Sequence, residues 1–178
     1  QNDLQEKWVE KFLEYYIDFD DFKKIGLDGV QFHDDDAVPD MNNMTEKQII
    51  AYAKDVKKEL DKRGLVAEFV APRLWMDPHT TDGGFTSNSK EDYEFAMWRA
   101  YRSIDIAKAL GAKNIVLWLA REGTLCAESK SPVWATKMLV EAINKMLEYF
   151  WGDDYVNIWD RGDLDNPFVV WDENFKPW

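Results

Sequence analysis

A histidine followed at once by three aspartates is the sharpest chemical feature of the sequence. His33 ends a short predicted strand, residues 28–33, and the aspartates Asp34, Asp35 and Asp36 follow it directly. An imidazole titrates near neutral pH, and a neighbouring carboxylate fixes its tautomer, so this pattern is typical of a group that moves protons. The alternative is a histidine that only caps its own acidic turn.

The aspartate triplet also suits divalent cations, because Mg²⁺, Mn²⁺ and Ca²⁺ prefer carboxylate oxygens. Three adjacent positions rarely converge on one ion, however. We therefore expect at least two of the three aspartates to lie in a solvated acidic loop.

Two later segments place an indole just after a predicted strand. Residues 65–71 lead to Trp75, and residues 114–118 end in Trp118. A flat indole face suits a sugar or another ring, although a single tryptophan is more often part of a core.

Three charged residues near these segments have simpler interpretations. We expect Arg121 and Glu122 to form a structural ion pair at the base of a loop. His79, among polar neighbours and next to Pro78, is expected in an exposed loop.

Strand and helix signals alternate along the chain and predict how these residues are positioned. Strands are predicted at residues 28–33, 65–71 and 114–118, with 155–159 as a fourth candidate; helices are predicted at 4–16, 20–25, 45–63, 89–110 and 131–150. Strand–loop–helix units in a row indicate parallel strands joined by crossovers. In such folds the chemistry collects beyond the carboxyl ends of the strands.

Capping residues, helix-ending glycines and apolar periodicity support the predicted helices. Thr45 and Gln48 have capping-box spacing, and Gly64 and Gly111 are placed to end helices. The helix at 89–110 has an apolar face in which the aliphatic stem of one arginine fills a gap. The residues of that face are Phe95, Trp98, Arg102, Ile106 and Leu110.

Composition and charge narrow the class of protein. The chain has 178 residues, 46% of them hydrophobic, which excludes a disordered chain. A complete (β/α)₈ barrel usually needs about 250 residues, so a full barrel is not expected. The net charge of −12 disfavours nucleic-acid binding. The single cysteine, the short apolar runs and the absence of a signal-peptide pattern predict a cytoplasmic protein with no membrane partner.

Three segments together resemble the xylose isomerases, metal-dependent aldose–ketose isomerases built on a TIM barrel. The stretch Gly-Val-Gln-Phe-His-Asp-Asp-Asp at 29–36 resembles the first strand end of that family, residues 74–88 its second strand-end loop, and residues 104–123 its third unit. The matches come in the family's order, within residues 25–150. The resemblance implies an α/β fold, a partial TIM-like (β/α) barrel of about three to four parallel βα units.

The resemblance also implies roles for single residues. His33 matches the histidine that assists opening of the sugar ring, and Asp36 matches the aspartate that orients it. Trp118 matches an aromatic wall of the substrate pocket, and Trp75 falls where the family usually has a Phe of that wall. The family uses two divalent ions, Mg²⁺, Mn²⁺ or Co²⁺, to polarise the open-chain sugar while a hydride moves between C1 and C2.

The sequence departs from the family pattern after the second and fourth strands. Where the family has Thr-Thr-Asn, this chain has Ala-Pro-Arg ending at Arg73, which changes the polar groups at the pocket edge. Where the family has Ile-Glu-Pro-Lys, Trp159 stands at the metal-ligand position and Arg161 at the substrate-contacting lysine. Asp160 is one residue late, so it would point to the other side of a regular strand. No metal ligands can therefore be identified in this chain.

These observations leave more than one function open. One is a xylose isomerase-like enzyme that converts an aldose such as xylose to xylulose, as a homo-oligomer, with activity reduced by the missing metal-ligand half. Another is a truncated, non-catalytic half-barrel that serves as a sugar-binding or assembly module, with its sheet edges covered by a partner or by the Trp-rich tail. A third is a sugar epimerase of the same barrel superfamily. In each case residues 1–178 are expected to form a single domain with a divergent, irregular, aromatic-rich tail at 151–178.

Overall fold

The protein has a parallel β-sheet whose strands are connected by helices, as the sequence predicts. The structure, a computed structural model, describes residues 19–122, 129–150 and 157–160, and for residues 150 and 157–160 it describes the backbone alone. The predicted helix at 4–16 and most of the predicted tail lie outside these residues.

Four strands form the sheet, and they neighbour one another in chain order. The strands are β1 (Gly29–His33), β2 (Val66–Ala71), β3 (Asn114–Leu117) and β4 (Asn157–Asp160). All three pairings are parallel, so the carboxyl ends of the strands share one edge of the sheet. The partial-barrel prediction is confirmed, and the fourth strand lies within one residue of its predicted end.

The helices connect these strands. They are α1 (Phe19–Lys24), α2 (Asp34–Ala37), α3 (Glu46–Lys62), α4 (Lys90–Leu110) and α5 (Pro132–Phe150), with 3₁₀ turns at Met41–Asn43 and Pro78–Thr80. The predicted capping box is present, since the Thr45 N–H donates to Gln48 Oε1 at 2.9 Å. Gly64 and Gly111 adopt the positive φ values expected where helices end.

Helix α4 is the central packing element, because it contacts α3, α5, β2 and β3. Its buried side includes many small residues, among them Ala96, Ala100 and Ala107, which let the helix approach its neighbours closely. The predicted apolar face is therefore incomplete, and Phe95 and Trp98 are only half-buried.

Arg102 on the same helix also differs from its predicted role as an aliphatic filler. Its guanidinium lies between two helices, where it pairs with Glu46 and Asp105 and donates to the Tyr149 hydroxyl at 3.0 Å. Burial and the Asp105 charge together raise the pKa of Tyr149 to about 12. The arginine thus links α3, α4 and α5 by its charge.

No helix within the described residues has both the length and the apolar character needed to cross a membrane.

A buried ion pair fastens the end of β1 to α4. Asp34 is fully buried, and Arg99 binds it through Nε at 2.7 Å and Nη2 at 2.9 Å. The Ser103 hydroxyl donates to the same carboxylate at 3.1 Å. Two buried charges are tolerated here because their hydrogen bonds are satisfied by each other and by nearby donors.

We predict that Asp34→Asn lowers the free energy of unfolding by about 3–5 kcal/mol, because it leaves the Arg99 charge buried without its partner. The measurement is chemical denaturation of the two proteins. The matched control is Glu94→Gln, which breaks an exposed ion pair with Lys90 and is expected to cost less than about 1 kcal/mol. Equal effects of the two substitutions would contradict this account.

Candidate functional site

The structure brings His33 and Asp36 together at the carboxyl edge of the sheet. His33 is the last residue of β1, and Asp36 is the third residue of α2. One turn of helix therefore returns the carboxylate to the ring, with His33 Nδ1 and Asp36 Oδ2 2.9 Å apart. The side chain of His33 is 31% exposed, so the pair is accessible from solvent.

The charge state of Asp36 decides which nitrogen of His33 carries the proton. Burial raises the pKa of Asp36, but the hydrogen bond with His33 and the charge of Arg73 outweigh it and hold the pKa below its usual range. An ionised carboxylate only accepts hydrogen bonds, so His33 Nδ1–H must donate. Nε2 is then the nitrogen that can take a proton from a ligand or return one.

The three aspartates do not form the predicted solvated loop. They make a helical turn, α2, because each carboxylate has a fixed partner. Asp34 binds Arg99, whereas Asp35 accepts from Arg73 Nε at 2.7 Å and from Arg99 Nη2 at 3.0 Å. The sequence could not show this, because both arginines lie far along the chain.

Two indoles stand beside the histidine. The ring of Trp75 meets the His33 ring edge to face at 5.1 Å, and it contacts the ring of Trp118 at 4.4 Å with a tilt of 58°. Trp75 is half-buried and Trp118 is 41% exposed. Neither is a core residue, so the two rings are available as an apolar wall next to the proton-carrying group.

The loop after β2 is held by the Glu122 carboxylate. Glu122 accepts the backbone N–H groups of Gly84, Phe85 and Thr86 at 2.9–3.1 Å. The predicted ion pair with Arg121 is therefore wrong: within the described residues Arg121 is exposed and Glu122 binds backbone amides.

The glycines of this loop make that arrangement possible. Gly83 has φ +86°, and a Cβ there would lie 2.7 Å from the Thr86 hydroxyl and 2.9 Å from the Arg121 carbonyl. Only a residue without a side chain fits a positive φ and so close an approach.

Next to this loop is a small cavity of about 220 Å³, away from His33. It is lined by Thr86, Glu122, Lys130, Pro132, Ala135, Thr136 and Leu139. The buried Lys130 amine already binds the Asp82 carbonyl and lies 3.4 Å from its carboxylate. Because the Lys130 amine that lines the cavity is already paired with Asp82, we assign no ligand to this cavity.

His79 is exposed, as predicted, and lies in the 3₁₀ turn after Asp77. Its Nδ1 is 2.9 Å from Asp92, and this hydrogen bond raises the pKa of His79. The ring also lies 4.8 Å from Phe95. Its ring and side-chain contacts within the described residues are with Phe95 and Asp92 rather than with the two indoles, so it provides a useful comparison for His33.

The other predicted site features are not assembled within the described residues. No group of three or more His, Cys, Asp or Glu side chains that could hold a metal ion occurs in ranges 19–122, 129–150 and 157–160. Arg161, the predicted substrate contact, lies outside those ranges. Trp159 and Asp160 are on β4, paired with Val116 and Leu117 of β3.

Sequence reasoning did not identify Arg99 as a site residue, and it placed Arg73 at the pocket edge without identifying its carboxylate partners. For Arg99 the available signal was a charged residue surrounded in helical spacing by Ala96, Ala100 and Ser103. For Arg73 the signal was its position just after a strand, two residues before an indole.

The sequence matches the family described as Xylose isomerase-like TIM barrel over residues 19–158. The match therefore spans β1 to β3, the first two residues of β4 and most of the chain.

Solved structures show the same fold. The chain resembles the xylose isomerase domain protein from Planctomyces limnophilus with a TM-score of 0.55 and 16% identity, over 81% of this chain and 48% of that one. It resembles the 3-keto-D-glucoside 4-epimerase from E. coli with a TM-score of 0.50 and 16% identity, over 74% of this chain and 44% of that one. It resembles a D-psicose 3-epimerase, crystallised in the presence of D-fructose, with a TM-score of 0.51 and 14% identity, over 76% of this chain and 42% of that one. The chain thus spans about half the length of these structures.

We predict that Glu122→Gln loosens the loop after β2. Replacing the charged acceptor of three amides is expected to cost about 1.5–3 kcal/mol. Hydrogen exchange measures the effect directly, with faster exchange at Gly84, Phe85 and Thr86. The control Glu148→Gln changes an exposed carboxylate on α5 and should leave these amides unchanged. Unaltered exchange in Glu122→Gln would contradict the assigned role.

Proposed function

The chain belongs to the xylose isomerase-like TIM barrel family, and from this premise we propose that it acts on a sugar as an isomerase or epimerase, with His33 as its proton-transfer group. The observation that carries the proposal is the His33–Asp36 pair at 2.9 Å beside an aromatic wall. Three kinds of group are thereby combined at the edge where parallel α/β folds bind ligands: a proton carrier, its orienting carboxylate and flat apolar surface.

Ring opening is the step that the described residues support. A cyclic aldose opens when the C1 hydroxyl loses its proton, the bond from C1 to the ring oxygen breaks, and the ring oxygen gains a proton. His33 Nε2 can take the first proton and return one, because Asp36 stabilises the imidazolium between the two transfers.

The aromatic wall of Trp75 and Trp118 and the negative net charge of the chain both favour a neutral sugar as the ligand. Trp75 and Trp118 offer ring faces to the apolar C–H side of a pyranose. The net charge of −12 disfavours phosphorylated or acidic sugars over neutral ones.

The described carboxylates beside His33 do not fit a divalent ion. Asp34 and Asp35 are bound by arginines, and Asp36 is shared between His33 and Arg73. Binding Mg²⁺, Mn²⁺ or Co²⁺ there would require displacing those cations. We therefore derive no step through a metal from these residues.

Within this activity we propose xylose as the substrate and xylulose as the product, on the resemblance of residues 29–36, 74–88 and 104–123 to the xylose isomerases. Turnover is expected to be much weaker than that of a complete family member, because no metal ligands are identified. Epimerisation remains a second product class, since two of the similar structures are sugar epimerases.

We predict that the chain accelerates the interconversion of α- and β-xylose and that His33→Gln lowers the added rate by about 100-fold or more, the usual contribution of a general acid–base group. Polarimetry follows the anomers, and a parallel assay with Mg²⁺ or Mn²⁺ measures xylulose. Anomer interconversion depends on ring opening alone, so it tests His33 without a metal.

The matched control is His79→Gln, which removes the other histidine of the chain. It should keep the wild-type rate. The proposal fails if the wild-type protein gives no acceleration, or if the two glutamine variants behave alike.

A second candidate function, assembly, is favoured by the two edges of the sheet, at which no further strand lies within residues 19–122, 129–150 and 157–160. Strands β1 and β4 are the outer strands of the four described, and a closed barrel of this family type has eight strands. We propose that two copies close one barrel, with β4 of each beside β1 of the other. A twofold axis along the barrel would keep every strand parallel and supply four strands from each copy.

We predict that Val66→Lys converts such a dimer into monomers. Val66 on β2 is 59% exposed in one copy and would be covered by closure, so a lysine there is tolerated by the fold and opposes association. Light scattering after gel filtration measures the mass against 20.9 kDa per chain. Val133→Lys, at a residue 66% exposed on α5, is the matched control. A wild-type protein that stays monomeric would rule out the assembly.

A further inference from the structure

The two oxygens of Asp36 are divided between two partners. Oδ2 accepts from His33 Nδ1 at 2.9 Å, and Oδ1 accepts from Arg73 Nη2 at 2.6 Å. The carboxylate is 43% exposed, so packing alone does not fix its orientation. Its position is defined by these two hydrogen bonds and by the backbone N–H of His33, which also donates to Oδ2, at 3.4 Å.

Arg73 is itself held from several sides. Its backbone N–H donates to Asp34 Oδ1 at 3.0 Å, and its Nε donates to Asp35 Oδ1 at 2.7 Å. The guanidinium lies 5.9 Å from the ring of Trp75, within reach of a cation–π contact. A planar guanidinium with two bound edges offers Asp36 a donor in a set direction.

Loss of that donor would leave Oδ1 without its partner, so the carboxylate could rotate and share its Oδ2 hydrogen bonds between the His33 backbone N–H, the ring and water. The hydrogen bond to His33 would then be one of several alternatives, and neutral imidazole would no longer be confined to the tautomer with the proton on Nδ1. The effect reaches His33 through Asp36.

We propose that Arg73 is a positioning residue for His33: it anchors Asp36 so that the imidazole carries its proton on Nδ1 and presents an unprotonated Nε2. The proposal rests on the proposed proton-transfer role of His33 and adds the residue that prepares it. It assigns Arg73 no contact with the sugar.

The test measures the His33 tautomer by ¹⁵N NMR at about pH 9, above the ordinary histidine range. The chain has two histidines, so His33 and His79 give separate signals and His79 serves as the internal reference. In the wild-type protein the Nδ1–H form of His33 should predominate. In Arg73→Met the fraction of the Nδ1–H form of His33 should fall, so that both tautomers are populated. The tautomer ratio of His79 should not change.

A double-mutant comparison shows whether the effect passes through Asp36. Asp36→Ala alone should give a mixture of the two His33 tautomers. Adding Arg73→Met to Asp36→Ala should not change the tautomer ratio any further. Asp35→Asn is the matched control, because it removes the other carboxylate partner of Arg73 and leaves Asp36 in place. It should keep most of the Nδ1–H form.

Three results would overturn the proposal. The first is a His33 tautomer ratio in Arg73→Met that equals the wild-type ratio. The second is an Arg73→Met effect on that ratio that is equally large in the wild-type and the Asp36→Ala background. The third is an Arg73→Met protein that loses the anomer interconversion rate while its tautomer ratio stays unchanged. The last would assign Arg73 to substrate contact.

If Arg73→Met does not fold, Arg73→Lys carries the test. One amine keeps the charge but cannot bridge Asp35 and Asp36 as a planar guanidinium does, so an intermediate tautomer ratio is expected.

Failure of the proposed function looks different. The tautomer would respond as predicted, yet no sugar would be converted. In that case the positioning of His33 by Arg73 stands and its use in sugar chemistry does not.

Discussion

The buried carboxylate of Asp34 is the constraint on which the rest of the site depends. It is fully buried, and burial raises its pKa against the opposing charge of Arg99. A charge in that environment must collect hydrogen bonds, and it does so from Arg99, Ser103 and the Arg73 backbone. Those donors come from α4 and from the loop after β2, so one side chain fixes two separate parts of the chain to the end of β1.

The rest of the acidic turn follows from that anchor. With Asp34 held below, the next two carboxylates project from α2 towards Arg73 and His33. The same arginine that neutralises Asp35 also orients Asp36. The acidic cluster is therefore stabilised by cations of the chain itself, which explains why its local role is to orient an imidazole.

Local patterns predicted the elements and the edge at which the chemistry lies. Caps such as Thr45 with Gln48 and helix-ending glycines such as Gly111 are local signals, and they were confirmed. The partners of buried charges are not local: Arg99 lies 65 residues from Asp34, and Glu122 lies 36–38 residues from the amides it binds. Sequence spacing could not select these pairs, so a solvated acidic loop and an Arg121–Glu122 ion pair were predicted in their place.

The tryptophans show a further limit of the same kind. From sequence, Trp75 and Trp118 could be core or pocket residues, and only their mutual contact and partial exposure decide between the two. His33 and Asp36 could be paired from sequence because they are three residues apart. The contribution of Arg73 to that pair depends on where the loop after β2 is placed, which follows from the parallel pairing of His33 with Ala71.

The open inner side of the sheet bears on how this site can work. On β2 the side chains of Ala67 and Val70 are buried against the helices, whereas Val66 and Glu68 are exposed on the other side, where Glu68 binds Gln31 of β1. Parallel sheets are normally covered on both faces. The side-chain contacts of His33, by contrast, come from α2 and the loop after β2 of the same chain. The orientation of His33 is therefore set by contacts within the described residues of one chain and does not depend on what covers the inner side of the sheet.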